Sequence, residues 1–334
     1  MSRIGVLGSG TWGAALARVL CNGGHDVVLW SHDAAIAAEL SATRRHPMLQ
    51  GMTLPAALEI TADLERACRG VDVLLFVVTS VHVRHMAASA RDYLSPGTVV
   101  VDAAKGLEPD SFYTMTEIIR EELDRRPELR SVPVVALSGP THAEEVAQDM
   151  PTAIVAASGD AAAAEAVQGL FTGTCMRVYT NPDQHGVELC GALKNIFALA
   201  AGISDGLGYG DNSKAALITR GVTELARIGA ALGSGEKTFY GLAGIGDLIV
   251  TATSRHSRNH NAGVLIGQGL PPAEAVARVG MVVEGVNALP AASRLAEKYG
   301  LETPIISAVN DVVNHGADPR EAVNRLMGRS VKPE

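Results

Sequence analysis

Lysine is scarce in this 334-residue chain, which has six lysines against 22 arginines. Because arginine serves most surface roles, each lysine is a candidate for a task that needs a side chain able to lose a proton. Aromatic residues make up only 4% of the chain, whereas 35 glycines and a hydrophobic share of 47% are typical of a tightly packed α/β protein. The length predicts two domains of ordinary size.

The chain also lacks a basic tail, a CxxC pair and a long apolar run. Its formal net charge of −8 is spread along the sequence, which argues against nucleic acid as a partner but allows a small anion. The four cysteines predict free, buried thiols in a reducing, cytoplasmic compartment, and we name no metal site. We expect no signal peptide and no membrane insertion, because apolar runs such as residues 73–78 have only the length of a strand.

A glycine-rich turn, Gly8-Ser9-Gly10-Thr11-Trp12-Gly13, stands between a predicted strand at residues 3–7 and a helix-forming run from residue 14. In a GxGxxG turn the first glycine permits the tight bend and the second lets the backbone approach a pyrophosphate. The third lets helix and strand pack closely, and the helix N-terminus faces the anion. The motif alone is a weak signal, but its position between strand and helix predicts dinucleotide binding.

The second predicted strand, residues 26–30, is followed by Ser31-His32-Asp33. An acid at this place holds the ribose hydroxyls of NAD in related folds, so Asp33 is a candidate ribose ligand. Asp33 is equally well placed to cap the helix that follows. His32 could contact the 2′-phosphate of NADP, and the choice between NAD and NADP stays open.

Alternating strand and helix patterns continue to residue 182. They predict a mostly parallel sheet with helices on both faces, and ligands then bind at the carboxyl ends of the strands. Lys105 follows such an end, although a solvated loop lysine is the alternative. Thr141 and Glu144 resemble a capping box after a Gly-Pro turn. The further strands are predicted at residues 71–78, 98–101, 132–137, 152–157 and 176–179, and the helices at 34–40, 63–69, 81–93 and 161–170.

Strand periodicity ends near Asn181-Pro182, and everything after it has the pattern of helices and glycine-rich turns. We therefore predict an α/β dinucleotide-binding domain over residues 1–182 and an all-helical substrate and catalytic domain over residues 183–334.

Lys194 lies in a predicted helix that is otherwise small and apolar. At helical spacing it shares a stripe with residues such as Val187, Cys190 and Phe197. A charged side chain on such a stripe is costly unless it has a partner or a chemical role. The alternative is a lysine whose amine extends to water.

A second cluster of polar residues begins at Asp247, which lies in a segment of small residues. Thr251 follows one helical turn later. Next comes a polar run that combines arginine, hydroxyl and amide side chains, the composition of a phosphate site, and it contains Ser254, Arg255, Ser257, Arg258 and Asn259. A solvated loop is the alternative for the arginines, and a helix N-cap is the alternative for Asp247.

Taken together, these residues resemble the bacterial-type NAD(P)-dependent sn-glycerol-3-phosphate dehydrogenases, and the resemblance covers essentially the whole chain. The most specific parts surround Lys194 and run from Gly241 to Asn259. The matching segments are the glycine-rich turn, Lys105-Gly106, GPTHAEEVA from Gly139, ELCGALKNIFALAAGISDGLGYG from Glu188, NSKAALITRG from Asn212, GLAGIGDLIVT from Gly241, SRHSRN from Ser254 and VEGV from Val283.

The resemblance implies a Rossmann-like domain and an all-helical domain with the active site between them. It implies Lys194 as the proton acceptor, with Lys105 and Asp247 as further catalytic residues. The implied substrate contacts are Lys105, Gly139, Thr141, Asp247, Ser257, Arg258 and Asn259, and we add Lys194, Asn195 and Thr251 as candidates. The implied cofactor contacts are Thr11, Trp12, His32, Lys105, Ala143, Arg258, Val282 and Glu284, and the glycine-rich turn adds Gly8, Gly10 and Gly13. A homodimer that supplies glycerol 3-phosphate for phospholipid synthesis is implied as well.

Three positions depart from the family pattern. Thr79 stands where proline is usual beside the nicotinamide, and Thr141 replaces the commoner serine. Asp33 stands where many relatives carry arginine, and an acid there would repel the 2′-phosphate of NADPH, the cofactor of the family.

The predicted reaction is reversible hydride transfer between nicotinamide C4 and the C2 carbon of glycerol 3-phosphate, with Lys194 as base in one direction and acid in the other. Burial and neighbouring cations favour the neutral amine, whereas a close Asp247 favours the ammonium. A related two-domain hydroxyacid or sugar-acid dehydrogenase and a non-enzymatic dinucleotide sensor are the alternatives.

Overall fold

The computed structural model of the chain describes residues 1–330 and shows two compact units. The first unit contains Met1–Glu108 and Tyr113–Glu188. The second contains Pro109–Phe112 and the chain from Leu189 onward. The predicted domain boundary at residue 182 stays a prediction.

The first unit is built on an eight-stranded sheet. Its strands along the chain are β1 (Arg3–Leu7), β2 (Asp26–Trp30), β3 (Glu59–Thr61), β4 (Val73–Phe76), β5 (Val99–Asp102), β6 (Val134–Ser138), β7 (Thr152–Ala157) and β8 (Met176–Asn181). Their order across the sheet is β3-β2-β1-β4-β5-β6-β7-β8. All neighbours are parallel except β6 and β7, which confirms the prediction of a mostly parallel sheet.

Alternate residues of the central strands enter two separate apolar cores, one on each face of the sheet. On β2, Leu29 joins one core while Val28 and Trp30 join the other. This alternation follows from the pleat, and it explains why the strands are apolar almost throughout. Strand order reverses between β1 and β4, so their carboxyl ends form the switch point at which ligands bind in such sheets.

Helices cover the sheet and form the second unit. Those of the first unit are α1 (Thr11–Asn22), α2 (Ala34–Thr43), α3 (Leu64–Cys68), α4 (Val83–Ala90), α5 (Met115–Asp124), α6 (Ala143–Val146) and α7 (Ala161–Leu170). Helix α8 (Gln184–Gly206) begins in the first unit and continues in the second. Those that follow are α9 (Asp211–Ala231), α10 (Glu236–Phe239), α11 (Asp247–Thr253), α12 (Arg258–Gly267), α13 (Pro272–Val279), α14 (Glu284–Lys298), α15 (Pro304–His315) and α16 (Pro319–Met327).

The predicted capping box at Thr141 and Glu144 is wrong. The N-cap of α6 is His142, and the Thr141 hydroxyl instead donates to the carbonyl oxygen of Gly139 at 3.2 Å. A capping box does exist at the start of α5, where Thr114 and Glu117 satisfy each other's backbone donors. Both motifs place the acid three residues after the threonine. They differ because the Thr141 hydroxyl is engaged in the tight turn at Gly139.

Some predicted elements differ from the structure in extent. The helix predicted at residues 81–93 is a central α4 flanked by 3₁₀ turns at Ser80–His82 and Arg91–Tyr93. Strand β3 was not predicted, because its three residues at the sheet edge are only half-buried and carry no apolar run.

Two further predictions need correction. All four cysteines are free, but only Cys68 and Cys190 are buried, whereas Cys21 and Cys175 are half-buried. Helix α8 is long and apolar enough to cross a membrane by length and composition, although the longest apolar runs were expected to have only the length of a strand. Its most apolar window is 100% buried inside the protein.

Candidate active site

The amine of Lys194 lies inside the helical unit. Small and apolar neighbours on α8 leave Lys194 only 5% exposed. Its Nζ donates hydrogen bonds to Oδ1 of Asp247 and to Oγ1 of Thr251, the latter at 2.7 Å. The side chain is therefore buried and paired, and it does not extend to water. We refer to Lys194, Asp247 and Thr251 as the lysine cluster.

A close backbone approach positions Asp247. Leu242–Gly246 forms a turn of π-helix, and α11 begins at Asp247, so this residue is not the N-cap of α11. A Cβ at Gly244 would lie 2.1 Å from the carbonyl oxygen of Phe239, so only glycine fits there. The Thr251 hydroxyl donates to the backbone oxygen of Asp247 at 2.6 Å. This bond orients the lone pairs of the Thr251 hydroxyl oxygen towards the amine of Lys194.

Burial makes the two charges of the lysine cluster interdependent. Asp247 is completely buried, and a buried carboxylate or ammonium without its partner is strongly destabilised. The pairing therefore favours the ammonium form of Lys194 next to an ionised Asp247. Chemically, such a cluster can hold a proton at Nζ and donate it to a nearby oxygen.

Two buried asparagines extend the polar interior beside the lysine cluster. Asn195 adjoins Lys194 on α8, and its Oδ1 accepts from Nδ2 of Asn259 at 3.0 Å. Oδ1 of Asn259 accepts from the backbone N–H of Gly285 at 2.7 Å, near the start of α14. This bond brings the segment with Val282 and Glu284 next to Asn259. Val282 itself is exposed.

The N-terminus of α12 presents the predicted phosphate residues. Ser257 is its N-cap and accepts from the backbone N–H of His260 at 3.2 Å. Arg258 is the first helical residue, and its side chain is exposed, as is that of Arg255. Because a helix N-terminus carries unpaired N–H donors and a positive dipole end, this segment suits an anion.

Glycines hold α12 close to α8. A Cβ at Gly202 of α8 would lie 2.0 Å from the carbonyl oxygen of His260, and one at Gly263 of α12 would lie 2.2 Å from that of Leu199. The backbones therefore touch directly. Because α8 carries Lys194, this packing sets the distance from the lysine cluster to the N-terminus of α12.

In the first unit, the glycine-rich turn has the shape that a dinucleotide requires. A Cβ at Gly8 would lie 2.4 Å from the carbonyl oxygen of Val77, and one at Gly13 would lie 1.8 Å from that of Gly8. Gly10 differs, because its φ of −66° is ordinary and a Cβ there would meet nothing within 4 Å. The protein's own packing does not require glycine at this position, whereas the approach of a pyrophosphate would.

The end of β2 is connected to the glycine-rich turn. The Ser9 hydroxyl donates to Oγ of buried Ser31 at 2.8 Å. Asp33 caps α2 by accepting from the backbone N–H groups of Ala35 and Ile36 at 2.7 and 3.3 Å. The cap interpretation of Asp33 is therefore confirmed. Asp33 and His32 are both exposed after the end of β2, and their contacts with a cofactor stay predictions. Thr11 and Trp12 are the first residues of α1 and are half-buried.

Three predicted substrate residues of the first unit lie together. Nζ of Lys105 donates to the carbonyl oxygen of Gly139 at 3.3 Å, and the Thr141 hydroxyl donates to the same oxygen. The φ of Gly139 is +153°, and a Cβ there would lie 3.1 Å from Cα of Ile154, so the turn requires glycine. Ala143 is buried at the start of α6.

Two long-range contacts were not predicted from the sequence. His46 contacts the carbonyl oxygen of Ser9 within the glycine-rich turn, and Glu188 accepts hydrogen bonds from Thr116. Neither has a sequence signal, because each contact depends on a long-range approach of the chain. Within residues 1–330 there is no group of three or more His, Cys, Asp or Glu side chains that could hold a metal ion.

A sheet unit with GxGxxG at its switch point, joined to a helical unit with a buried lysine–carboxylate pair, defines a dinucleotide-dependent dehydrogenase. Residues 3–164 match the family model described as the NAD-dependent glycerol-3-phosphate dehydrogenase N-terminus, and residues 183–324 match that of the C-terminus. The chain belongs to the NAD-dependent glycerol-3-phosphate dehydrogenase family, and it is an oxidoreductase that uses NAD or NADP.

Full-length relatives agree with this assignment. The chain is 55% identical to an NAD(P)+ glycerol-3-phosphate dehydrogenase of Lactobacillus delbrueckii, covering 100% of this chain and 99% of the relative. It is 49% identical to the enzyme of that name in Desulfitobacterium hafniense, covering 100% and 93%. The crystal structure of glycerol-3-phosphate dehydrogenase from Coxiella burnetii aligns with a TM-score of 0.91 at 36% identity, covering 98% and 99%.

Proposed function

We propose that this chain interconverts sn-glycerol 3-phosphate and dihydroxyacetone phosphate and so supplies glycerol 3-phosphate for phospholipid synthesis. The main support for the proposal is the lysine cluster. A family member that moves a proton during hydride transfer needs one buried group that can hold and release that proton. Lys194, fixed by Asp247 and Thr251, is that group.

Lys194 is proposed to give a proton to the C2 oxygen during ketone reduction and to take it back during alcohol oxidation. Loss of the proton leaves a neutral amine next to the buried carboxylate of Asp247, which is an unfavourable state for that carboxylate. Asp247 therefore favours reprotonation of the amine after each turnover. Lys105, next to Gly139 and Thr141, is proposed to contact the substrate from the first unit.

The cofactor residues are assigned by the fit of the glycine-rich turn. When bound, the nicotinamide supplies or accepts the hydride. We propose that the N–H groups of the glycine-rich turn and the N-terminus of α1 hold the pyrophosphate. The remaining proposed contacts are Thr11, Trp12, His32, Lys105, Ala143, Arg258, Val282 and Glu284.

Asp33 and His32 act in opposite directions on the choice of cofactor. The carboxylate of Asp33 repels a 2′-phosphate, which disfavours NADP relative to NAD. Exposed His32 can donate a hydrogen bond to that phosphate, which favours NADP. The ratio of kcat/KM for NADH and NADPH measures the balance.

We propose that the substrate phosphate binds at the N-terminus of α12. The exposed guanidinium of Arg258 offers bidentate hydrogen bonds, and Ser257 and Asn259 flank it. Binding a group remote from the reacting carbon orients the substrate for proton and hydride transfer. A hydroxyacid substrate does not call for this segment, and the full-length relatives described above are named glycerol-3-phosphate dehydrogenase.

The remaining expectations belong to the same proposal. They are a domain boundary at residue 182, a homodimer and a cytoplasmic location. The four free cysteines are compatible with a reducing compartment. Light scattering of the purified protein at several concentrations tests the dimer, and a monomer at all concentrations would contradict it.

The direct test is the loss of NADH or NADPH absorbance with purified protein and dihydroxyacetone phosphate. We expect saturable oxidation that requires the ketone substrate. Dihydroxyacetone without phosphate is the matched control, and we expect poor turnover with it because the α12 contacts are lost. Equal turnover of both ketones would contradict the proposed phosphate site.

A further inference from the structure

The imidazole of His46 makes two hydrogen bonds that fix its protonation state. His46 follows α2 in a loop, yet it is only 8% exposed. Its Nε2 lies 3.2 Å from the carbonyl oxygen of Ser9, and its Nδ1 accepts from the backbone N–H of Met48 at 3.2 Å. A carbonyl only accepts and a backbone N–H only donates, so this network assigns the proton to Nε2 and leaves Nδ1 bare.

The contact with Ser9 reaches the centre of the glycine-rich turn. The carbonyl of Ser9 and the N–H of Gly10 belong to one planar trans peptide and point in opposite directions. A hydrogen bond that holds the carbonyl towards His46 therefore directs the Gly10 N–H away from His46. Together with the bond from the Ser9 hydroxyl to Ser31, it fixes Ser9 at two points.

We propose that His46, as a neutral imidazole, is a positioning residue for the dinucleotide: it orients the Ser9–Gly10 peptide so that the Gly10 N–H faces the pyrophosphate, and its protonation weakens cofactor binding. The inference rests on the proposed binding of NAD(P) at the glycine-rich turn. It adds a residue from outside the GxGxxG motif and a dependence of affinity on pH.

Protonation conflicts with the observed geometry. An imidazolium carries N–H on both ring nitrogens, so Nδ1–H would face the N–H of Met48 and that bond would be lost. Burial lowers the pKa of His46, and the Ser9 carbonyl opposes this only in part. The correct turn geometry is therefore present above this lowered pKa and is lost as the pH falls through it.

The charged residues that precede His46 on its loop, and those at the start of α2, are exposed or have other partners. Arg44 donates to the carbonyl oxygens of Pro55 and Leu58, and the Arg45 side chain is exposed. Asp33, the N-cap of α2, accepts from the backbone N–H of Ala35. His32 is exposed and can donate a hydrogen bond to a 2′-phosphate, so a cofactor that carries this phosphate would report on both histidines. NADH, which lacks this phosphate, is therefore the probe.

The experiment measures the dissociation constant of NADH by fluorescence without substrate, at about pH 8 and at a series of lower pH values. Because the pKa of His46 is lowered, the series extends below the ordinary histidine pKa to the lowest pH at which the protein stays folded. His46→Phe removes both hydrogen bonds, and we expect a dissociation constant about fivefold to tenfold higher at the higher pH. His46→Gln keeps an amide donor for Ser9 and cannot be protonated. We expect it to bind NADH as the wild type does at the higher pH and to lose less affinity than the wild type at the lower pH values.

Each outcome decides the proposal. The proposal would be overturned if the wild type binds NADH and a folded His46→Phe variant binds it with the same affinity. It would also be overturned if the affinity of His46→Gln for NADH changed with pH in the same way as that of the wild type. If His46→Phe does not fold, the His46→Gln comparison decides alone. A wild-type protein that binds neither NADH nor NADPH would instead refute cofactor binding at the glycine-rich turn, which is a separate failure.

Discussion

Nζ of Lys194 donates a hydrogen bond to Oδ1 of Asp247 in the buried interior of the helical unit. Lys194→Met leaves the buried carboxylate of Asp247 without its cation, and Asp247→Asn leaves the buried ammonium of Lys194 without its anion. We expect each to lower the free energy of unfolding by about 3–5 kcal/mol. The double variant has neither charge, so we expect it to lose less than the sum of the two. Urea unfolding measures all four proteins, and strictly additive losses would contradict the pairing.

Arg258 is predicted to bind the substrate phosphate at the N-terminus of α12. We expect Arg258→Gln to raise the KM for dihydroxyacetone phosphate at least about tenfold, since a charge-assisted contact contributes roughly 1.5–3 kcal/mol. Arg255→Gln is the matched control, because Arg255 is an exposed arginine of the same segment outside α12. Steady-state kinetics with both variants make the test. Equal KM values for the two would remove Arg258 from the phosphate site.

Gly10 and Gly13 have different reasons to be glycine. A Cβ at Gly10 meets no protein atom within 4 Å, so we expect Gly10→Ala to keep the wild-type melting temperature but to bind NADH at least about tenfold more weakly. A Cβ at Gly13 would lie 1.8 Å from the carbonyl oxygen of Gly8, so Gly13→Ala should lower the melting temperature itself. Thermal unfolding and NADH titration separate the two effects. Unchanged NADH affinity in Gly10→Ala would show that no pyrophosphate approaches there.

Glu188 makes stability depend on pH. Its carboxylate accepts from the backbone N–H of Thr116 at 2.8 Å and from the Thr116 hydroxyl. Burial raises the pKa of Glu188 to about 7, and the neighbouring charge of Glu188 adds to the burial that raises the pKa of Asp102. The folded protein therefore binds more protons than the unfolded chain between the ordinary glutamate pKa and about 7, so stability falls as the pH rises through this window.

We expect Glu188→Gln to be more stable than the wild type at about pH 8, by up to about 3 kcal/mol, and to lose this advantage near pH 5. The amide oxygen can still accept from the Thr116 N–H, and the Thr116 hydroxyl can turn to accept from the amide NH₂. The control is Glu224→Gln. Burial also raises the pKa of Glu224 to about 7, but its two oxygens accept from the N–H groups of Ile305 and Ile306. The glutamine amide in Glu224→Gln has only one acceptor oxygen for these two N–H donors. This variant should therefore be less stable than the wild type at both pH values. A pH-independent effect of Glu188→Gln would contradict the buried-carboxyl account.

Local sequence patterns predicted much of the fold. The strands β1 and β2, the turn at Gly8 and the long helix around Lys194 follow from apolar runs, glycine spacing and helical periodicity. The capping box predicted at Thr141 was wrong. Its side chain has several possible hydrogen-bond partners, and the tertiary turn, rather than the sequence spacing, determines which one it binds. The edge strand β3 was missed, because its three residues lack a buried face.

The candidate site was predictable only in part. A lysine on an apolar stripe predicted that Lys194 has a partner or a chemical role, and Asp247 was a candidate partner. The approach of α12 to α8 depends on glycines that are distant in sequence, such as Gly202 and Gly263. The contact of His46 with the glycine-rich turn likewise depends on a loop conformation that no local pattern encodes.

The central claim is that Lys194 donates the proton in the reduction of dihydroxyacetone phosphate. The most direct measurement compares kcat of the wild type and Lys194→Met in the oxidation of NADH or NADPH, with cofactor affinity determined separately. We predict that the variant binds cofactor as the wild type does and loses about 10²–10⁴-fold in kcat. A folded variant with wild-type turnover would contradict the claim, and so would a wild-type protein that binds cofactor but does not reduce dihydroxyacetone phosphate.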